Sequence, residues 1–462
     1  MAKVLLIKCS VRYYPFTIAY PLGSMYLSAV LKRDGAHETK IIDARLKEIG
    51  ADEIAAAAKE YAPDIIGISS VYAEYLQTRQ VSAALKSVLP DVPLIIGGPY
   101  PTSDPACALK DDNIDCAAIG EGEQTFLSVV NNLSRGSSID AIPGLAFREN
   151  GGIRRTPEQA HIADLDSLPY PDWEGVRIPD YAKALSWSFR KNRPYMSLFT
   201  SRSCPYQCIY CHKVFGKGYR AHSPERVFSE IRELNGRYGI SDFEILDDTF
   251  NLDRNRLISI CDAIIQSGLK IRISFPNGVR ADILDEKSIK KLRKAGTIYM
   301  SVAIESGSLR IQKLIKKNLD LEKARNAIRL ITNEKIVAFG FFIFGFPTET
   351  REEMLETIRF ATTSRLHMAG FFFATPVPGT ELHEMVKDDK RLNFEQNSFQ
   401  YYSHDLLASD LPAEEVRIIH TSALWRFYLN PFRLARLAAV HPDKKRFLYG
   451  AFQLLVRTFT KK

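Results

Sequence analysis

Two series of short β-branched runs make up most of this chain, and stretches of helical periodicity separate the runs. In the first series, alternation predicts strands over residues 3–7, 39–42, 64–69, 93–96 and 115–119. The intervening periodicity predicts helices over 22–32, 51–60, 76–89 and 124–133. Alternating strands and helices argue for a doubly wound, Rossmann-like α/β domain with a parallel sheet. In such sheets ligands bind beyond the carboxyl ends of the strands. The glycines cluster there, in Gly97-Gly98-Pro99 and Gly120-Glu121-Gly122-Glu123.

A turn-rich connector follows, with weak strand pairs at 144–148 and 152–156. The second series then predicts strands over 195–200, 242–246, 272–275, 299–304, 338–344 and 371–375. Helices near 224–238, 254–267, 286–295, 321–334 and 351–362 separate them. Six strands with crossover helices suit a partial (β/α)6 barrel. The domain reading is 1–135 Rossmann-like, 136–185 connector, 186–385 partial barrel and 386–462 a basic helical C-terminal region. No repeat is present at a period of about 20–50 residues.

At 462 residues the chain exceeds one ordinary core, in keeping with two to three domains. Its 45% apolar and 25% charged residues mark it as globular. No apolar run reaches the ~18 residues of a membrane span, and the N-terminus lacks a secretory signal pattern, so a cytoplasmic location is expected. The net charge of +8 is uneven: residues 416–462 carry ten Lys/Arg against Asp443 alone. The basic character therefore belongs to the C-terminal region and not to a surface built for nucleic acid.

The sharpest chemical signal is Cys204-Pro-Tyr-Gln-Cys208-Ile-Tyr-Cys211, after a predicted strand and before a helix. Three thiolates on one loop can each hold one iron of a four-iron cluster, leaving the fourth iron open. A structural zinc site is the alternative. It wants four ligands, and His212 is too close to Cys211 for easy geometry. The odd set of seven cysteines, three of them within eight residues, fits a metal site in a reducing compartment. Cys261 and Cys116 fall in apolar patterns and read as core, and Cys107 reads as structural. Cys9 follows the first strand, near the expected cofactor face. The scattered histidines read as surface or core.

This loop resembles the cluster motif of the radical S-adenosylmethionine superfamily, with Tyr210 as the aromatic before the third cysteine. The resemblance continues through Asp247-Asp248-Thr249-Phe250-Asn251, Asn277-Gly-Val-Arg280-Ala-Asp282, Glu305-Ser306-Gly307, Gly345-Phe-Pro347-Thr-Glu349-Thr350 and Pro376-Val-Pro378-Gly379-Thr380. All follow predicted strands, where barrels build their sites. The resemblance implies that the open iron binds the amino and carboxylate groups of S-adenosylmethionine, whose reductive cleavage yields a 5′-deoxyadenosyl radical. Asp247 would then accept from the ammonium, and Glu305 and Ser306 would meet the ribose and carboxylate. Gly345 belongs to the same cofactor set. Asp248 reads equally as a helix N-cap, and Arg280 either binds the carboxylate or pairs with Asp282.

The first domain resembles a cobalamin-binding domain through Pro21-Leu22-Gly23, Ser69-Ser70, Gly97-Gly98-Pro99 and Gly120-Glu121-Gly122-Glu123. The resemblance makes Pro21, Gly23, Ser69, Ser70, Gly97, Gly98, Gly120, Glu121, Gly122 and Glu123 candidates for holding cobalamin. The Asp-x-His-x-x-Gly loop of methionine synthase is missing, and the domain's only histidine is His37. Members of the subgroup often bind cobalamin without a histidine below the cobalt.

Together the resemblances imply a cobalamin-dependent radical S-adenosylmethionine enzyme with a 4Fe-4S cluster, and they identify no catalytic residue. It would methylate an unactivated carbon of a small-molecule or lipid-like substrate, with a reducing partner such as flavodoxin or ferredoxin. Cyclisation or oxidation without methyl transfer is one alternative, and a metal-stapled binding module is another. A methylthiotransferase would need a second cysteine triad, which Cys9, Cys107 and Cys116 do not form. In the C-terminal region, Trp425, Phe427, Tyr428, Phe432, Phe447, Tyr449 and Phe452 accompany the basic residues. This mix suits either a helical cap on the barrel or peripheral contact with an anionic membrane.

Overall fold

The structure is a computed structural model and describes residues 1–9, 18–184, 187, 193–212, 214–392, 399 and 405–441. Phe447, Tyr449 and Phe452 lie outside the described residues. The chain forms two compact units. One comprises residues 1–181, 202–222 and 375–400; the other comprises 182–201, 223–374 and 401–462.

The first unit is built on a seven-stranded sheet. Its strands are β1 (Lys3–Lys8), β2 (Glu38–Asp43), β3 (Ile65–Ser69), β4 (Leu94–Gly97), β5 (Cys116–Ala118), β6 (Leu145–Glu149) and β7 (Gly152–Arg155), in the order β2-β1-β3-β4-β5-β6-β7. Helices α1 (Leu22–Gly35), α2 (Ala51–Tyr61), α3 (Tyr75–Val88) and α4 (Gly122–Leu133) connect the strands. Val4, Leu6, Ile65, Ile95, Cys116, Phe126 and Val129 form its core.

The sheet is mixed and not purely parallel. β1 to β5 run parallel, but β6 pairs antiparallel with β5, and β7 antiparallel with β6. The strand pair expected in the connector therefore extends this sheet. Asn150 and Gly151, at φ +51° and +75°, form the two-residue turn between them. Positive φ at both positions matches the right-handed twist of a hairpin.

The second unit holds a six-stranded parallel sheet in chain order: β8 (Tyr195–Leu198), β9 (Asp242–Ile245), β10 (Arg272–Val279), β11 (Thr297–Glu305), β12 (Val337–Phe344) and β13 (Met368–Phe373). The crossovers are α5 (Pro224–Tyr238), α6 (Arg254–Ser267), α7 (Glu286–Lys294), α8 (Leu321–Asn333) and α9 (Arg351–Thr363). Local chemistry sets their ends. Ser223 accepts from Arg226 N ahead of Pro224, and Gly239 closes α5 in the left-handed region. Asp253, and not Asp248, caps α6 by accepting from Arg256 N.

Helices α10 (Ala413–Tyr428) and α11 (Pro431–Val440) follow. The Tyr428 hydroxyl exchanges hydrogen bonds with Ala369, Phe427 meets Phe371 edge-on, and buried Arg433 donates to Leu366 and Thr362 carbonyls. These two helices thus cap the barrel, with Ile418, Leu429 and Phe432 left exposed. Among the described residues no helix is long and apolar enough to cross a membrane.

A buried acid lies among the barrel strands. Glu244 on β9 accepts from the backbone N–H of Trp187 (2.7 Å) and from Ser197 Oγ (3.3 Å). Burial pushes its carboxyl up to about 8, and the nearby Asp242 adds to the rise. A carboxyl raised on folding contributes stability that is complete below the ordinary value of ~4.3 and is lost as pH climbs through the folded value. The melting temperature of wild type should therefore fall relative to Glu244→Gln between pH 5 and 9, by at least about 5 °C. Parallel melting curves across this range would show that Glu244 is ionised in the fold.

Candidate functional site

In the first unit, the carboxyl ends of β3, β4 and β5 bring the glycine-bearing turns to one edge of the sheet. Ser70 N donates to Gly97 O and Tyr100 N donates to Ser70 O, so the Ser69-Ser70 and Gly97-Gly98 turns interlock. Gly98 sits at φ +98°, and a Cβ there would lie 2.8 Å from Ser70 O. Gly120, at φ +80°, and Gly23, at the start of α1, would each carry a Cβ into open space. A main-chain rim of this kind fits a large ligand approached through backbone. His37 is used elsewhere: its Nδ1 accepts Ala2 N at 3.1 Å and its Nε2 pairs with Asn131. Cys9 is fully buried, and burial pushes its thiol up to about 12.

The cysteine loop also belongs to this unit. Cys204 and Cys208 are half-buried and Cys211 is exposed. Cys211 N donates to Cys208 O in a turn (3.2 Å), and Tyr210 is half-buried between them. Ser203 Oγ donates to Gly216 O at 2.9 Å and closes the neck of the loop. None of the seven cysteines is in a disulfide. Among the described residues no three His, Cys, Asp or Glu side chains surround one point, as a mononuclear site requires. Three thiols spaced along one loop fit a cluster, in which each sulfur takes a different iron.

Glu121 and Glu123 are turned to arginines. Both are buried; Glu121 pairs with Arg202 (3.0 Å) and Arg220 (2.8 Å), and Glu123 pairs with Arg202. Burial opposes charge on Glu121, yet Arg202, the Ile162 N–H and Arg220 outweigh it and hold its carboxyl below the usual range.

In the second unit, the strand ends carry the other predicted residues. Buried Asp247 accepts from Thr200 N, Thr200 Oγ1 and Ser201 Oγ, each at 2.6 Å. Burial raises its carboxyl, with Arg256 and these donors pulling the other way. Its oxygens thus anchor the segment after β8. Arg280 forks onto Asp282 and reaches the carbonyls of Lys317 and Asn318. Glu305, at φ +67°, ends β11 and pairs with buried Lys317 at 3.0 Å. A left-handed conformation at a non-glycine residue at a strand end is a strained feature of the kind that collects at functional sites. Gln312 holds it there by donating to the carbonyls of Ile304 and Ser306. Ser306 Oγ is shared with Thr357. Gly345, at φ +85°, donates its N–H to Glu349, whose carboxyl burial pushes up to about 8.

Thr200, Gln312, Lys317, Arg202 and Arg220 were not legible as site residues. Each acts on a partner distant in sequence or through main chain, and no local spacing rule marks them.

Residues 15–130 match the B12 binding domain, and residues 198–361 match the radical SAM superfamily. The chain is 33% identical to the uncharacterized methyltransferase PH0819 of Pyrococcus horikoshii, over 90% of this chain and 89% of that one. It is 30% identical to the cytidylyl-2-hydroxyethylphosphonate methyltransferase of Streptomyces wedmorensis, over 82% and 80%. The chain therefore belongs to the radical S-adenosylmethionine superfamily, among the members that carry a B12-binding domain ahead of the radical domain. The cofactors of this class are a 4Fe-4S cluster, S-adenosylmethionine and cobalamin. Among solved structures, the cobalamin-dependent radical enzyme OxsB with aqua-cobalamin bound shares the fold at TM-score 0.77 and 17% identity, covering 99% of this chain and 72% of that one.

Proposed function

We propose that this protein is a cobalamin-dependent radical S-adenosylmethionine methyltransferase that acts at an unactivated carbon. The observation that carries the reading is the match to two methyltransferases at 30% identity or more, each over at least 80% of its own length. When bound, the reduced cluster with S-adenosylmethionine supplies a radical initiator, and methylcobalamin supplies the methyl group.

The chain's own part is binding and orientation. In this reading Cys204, Cys208 and Cys211 hold the cluster, beside Tyr210. The interlocked turns at Ser69-Ser70 and Gly97-Gly98, with Pro21, Gly23 and the Gly120–Glu123 turn, receive the corrinoid through main chain. Glu305, Ser306 and Gly345 meet S-adenosylmethionine at the barrel strand ends. Asp247 and Arg280 belong to the same rim, where Thr200, Ser201 and Asp282 fix their orientation. The corresponding domains are 1–135, 186–385 and a helical region from 386, with 136–185 between the first two. A one-electron donor such as a flavodoxin or ferredoxin completes the reaction, in the cytoplasm. Peripheral membrane contact through exposed Ile418, Leu429 and Phe432 would bring in a lipid-like substrate.

A second reading is a cyclase or oxidase without methyl transfer. It is supported by 25% identity, over 95% of this chain and 79% of that one, to the anaerobic magnesium-protoporphyrin IX monomethyl ester cyclase of Rubrivivax gelatinosus. Anaerobic assays for 5′-deoxyadenosine and S-adenosylhomocysteine separate the two. Both products together mean methylation, and deoxyadenosine alone supports the second reading. A protein holding zinc and no iron would sink both and leave a binding module.

A further inference from the structure

The two ends of the cysteine loop meet on one carboxylate. Arg202, two residues before Cys204, donates to Glu121 Oε1 at 3.0 Å. Arg220, beyond the loop, reaches both Glu121 oxygens at 2.8 and 3.0 Å and donates to the Phe215 carbonyl at 3.1 Å. The second carboxylate, Glu123, takes the other arm of Arg202. The Arg202 guanidinium also lies over the rings of Tyr26 and Phe215, 5.5 Å from each centroid. Glu121 Oε2 accepts the Ile162 N–H at 2.8 Å, and His161 Nδ1 stands 3.7 Å away. All of these groups lie within the first unit.

Two arginines balance two glutamates; Arg202, Glu121 and Glu123 are buried and Arg220 is half-buried. Buried ion pairs of this kind add little net stability against an apolar replacement, and their best-attested use is to fix one register. Here the register is that of the loop bearing the thiols. The carboxylate that fixes it belongs to the turn after β5. We infer that Glu121 is a positioning residue for the cysteine loop: it clamps the loop at both ends and so sets the thiols against the glycine turn of the B12-binding fold. This rests on the reading that the three thiols hold the cluster. Glu121 acts through Arg202 and Arg220 and touches no reacting atom.

The test uses the whole 462-residue chain. Wild type, Glu121→Gln and Arg220→Lys are stripped of metal and pulse-labelled with iodoacetamide, and each cysteine's rate is read by peptide mass spectrometry. Cys204 and Cys208 should label at least about tenfold faster in both variants, the change set by loss of one charge-assisted hydrogen bond. Cys116, in the β5 core, should label at the wild-type rate and serves as the gauge of the unit's integrity. After reconstitution, the variants should take up iron yet show an altered resonance signal of the reduced cluster. Unchanged rates at the triad overturn the inference. Equal acceleration at Cys116 also overturns it, since loss of fold alone produces that pattern. Wild type that takes up no iron refutes the cluster reading instead, and the labelling rates of the metal-free chain still decide the clamp.

Discussion

Replacing Cys204, Cys208 or Cys211 by alanine is expected to reduce 5′-deoxyadenosine formation to the assay background. Iron retained after anaerobic reconstitution should fall with it. In the proposed reading each thiolate on the loop serves a different iron, so no neighbouring sulfur can substitute. Among the described residues no three His, Cys, Asp or Glu side chains are gathered around one point elsewhere to take over. Cys261 is the control. It is buried on α6 with Leu257, Ile260 and Ile264, and burial pushes its thiol up to about 12. Cys261→Ala should keep wild-type iron. Iron analysis and product chromatography on the four variants decide the matter, and full turnover from any triad variant would refute the ligand assignment.

Gly98→Ala is expected to cost the first unit its corrinoid and much of its stability. Gly98 sits at φ +98° and ψ −169°, a region open essentially to glycine alone. Strain there is worth about 1–3 kcal/mol before any collision. A Cβ would also meet two main-chain atoms, Ser70 O at 2.8 Å and Ser70 N at 3.2 Å, and neither can turn aside as a side chain could. The turns at 69–70 and 97–98 would have to separate, and the rim proposed for cobalamin consists of those turns. Gly97→Ala is the matched comparison. Its added Cβ would meet only Ala118 Cβ, at 3.8 Å, so its melting curve should match that of wild type, and any loss of corrinoid from it would come from the ligand side of the turn. Corrinoid absorbance co-eluting with each variant, together with its melting curve, checks both expectations.

Most elements were legible because periodicities of 2.0 and 3.6 are local properties. Helix α5 shows this, bounded by Ser223-Pro224 and Gly239. The β6–β7 hairpin was seen as strands but assigned to the connector, because the pairing of β6 with β5 is a long-range choice. The Asn150-Gly151 turn was the local signal for the hairpin itself.

The donor chemistry was set by sequence alone. Three thiols within eight residues, and glycines placed where strands end, state which groups can hold iron and where backbone can approach a ligand. Only the tertiary structure decided which partners the charged side chains of these motifs have inside the fold. Asp247, Arg280, Glu305, Glu121 and Glu123 all carry the right chemistry for the roles the motifs implied. Each also has an internal partner: Thr200 and Ser201, Asp282, Lys317, Arg220 and Arg202. The physical reason is desolvation. A charge taken out of water must find an opposite charge or donors inside the fold, and for Glu121 that partner, Arg202, comes from 81 residues away.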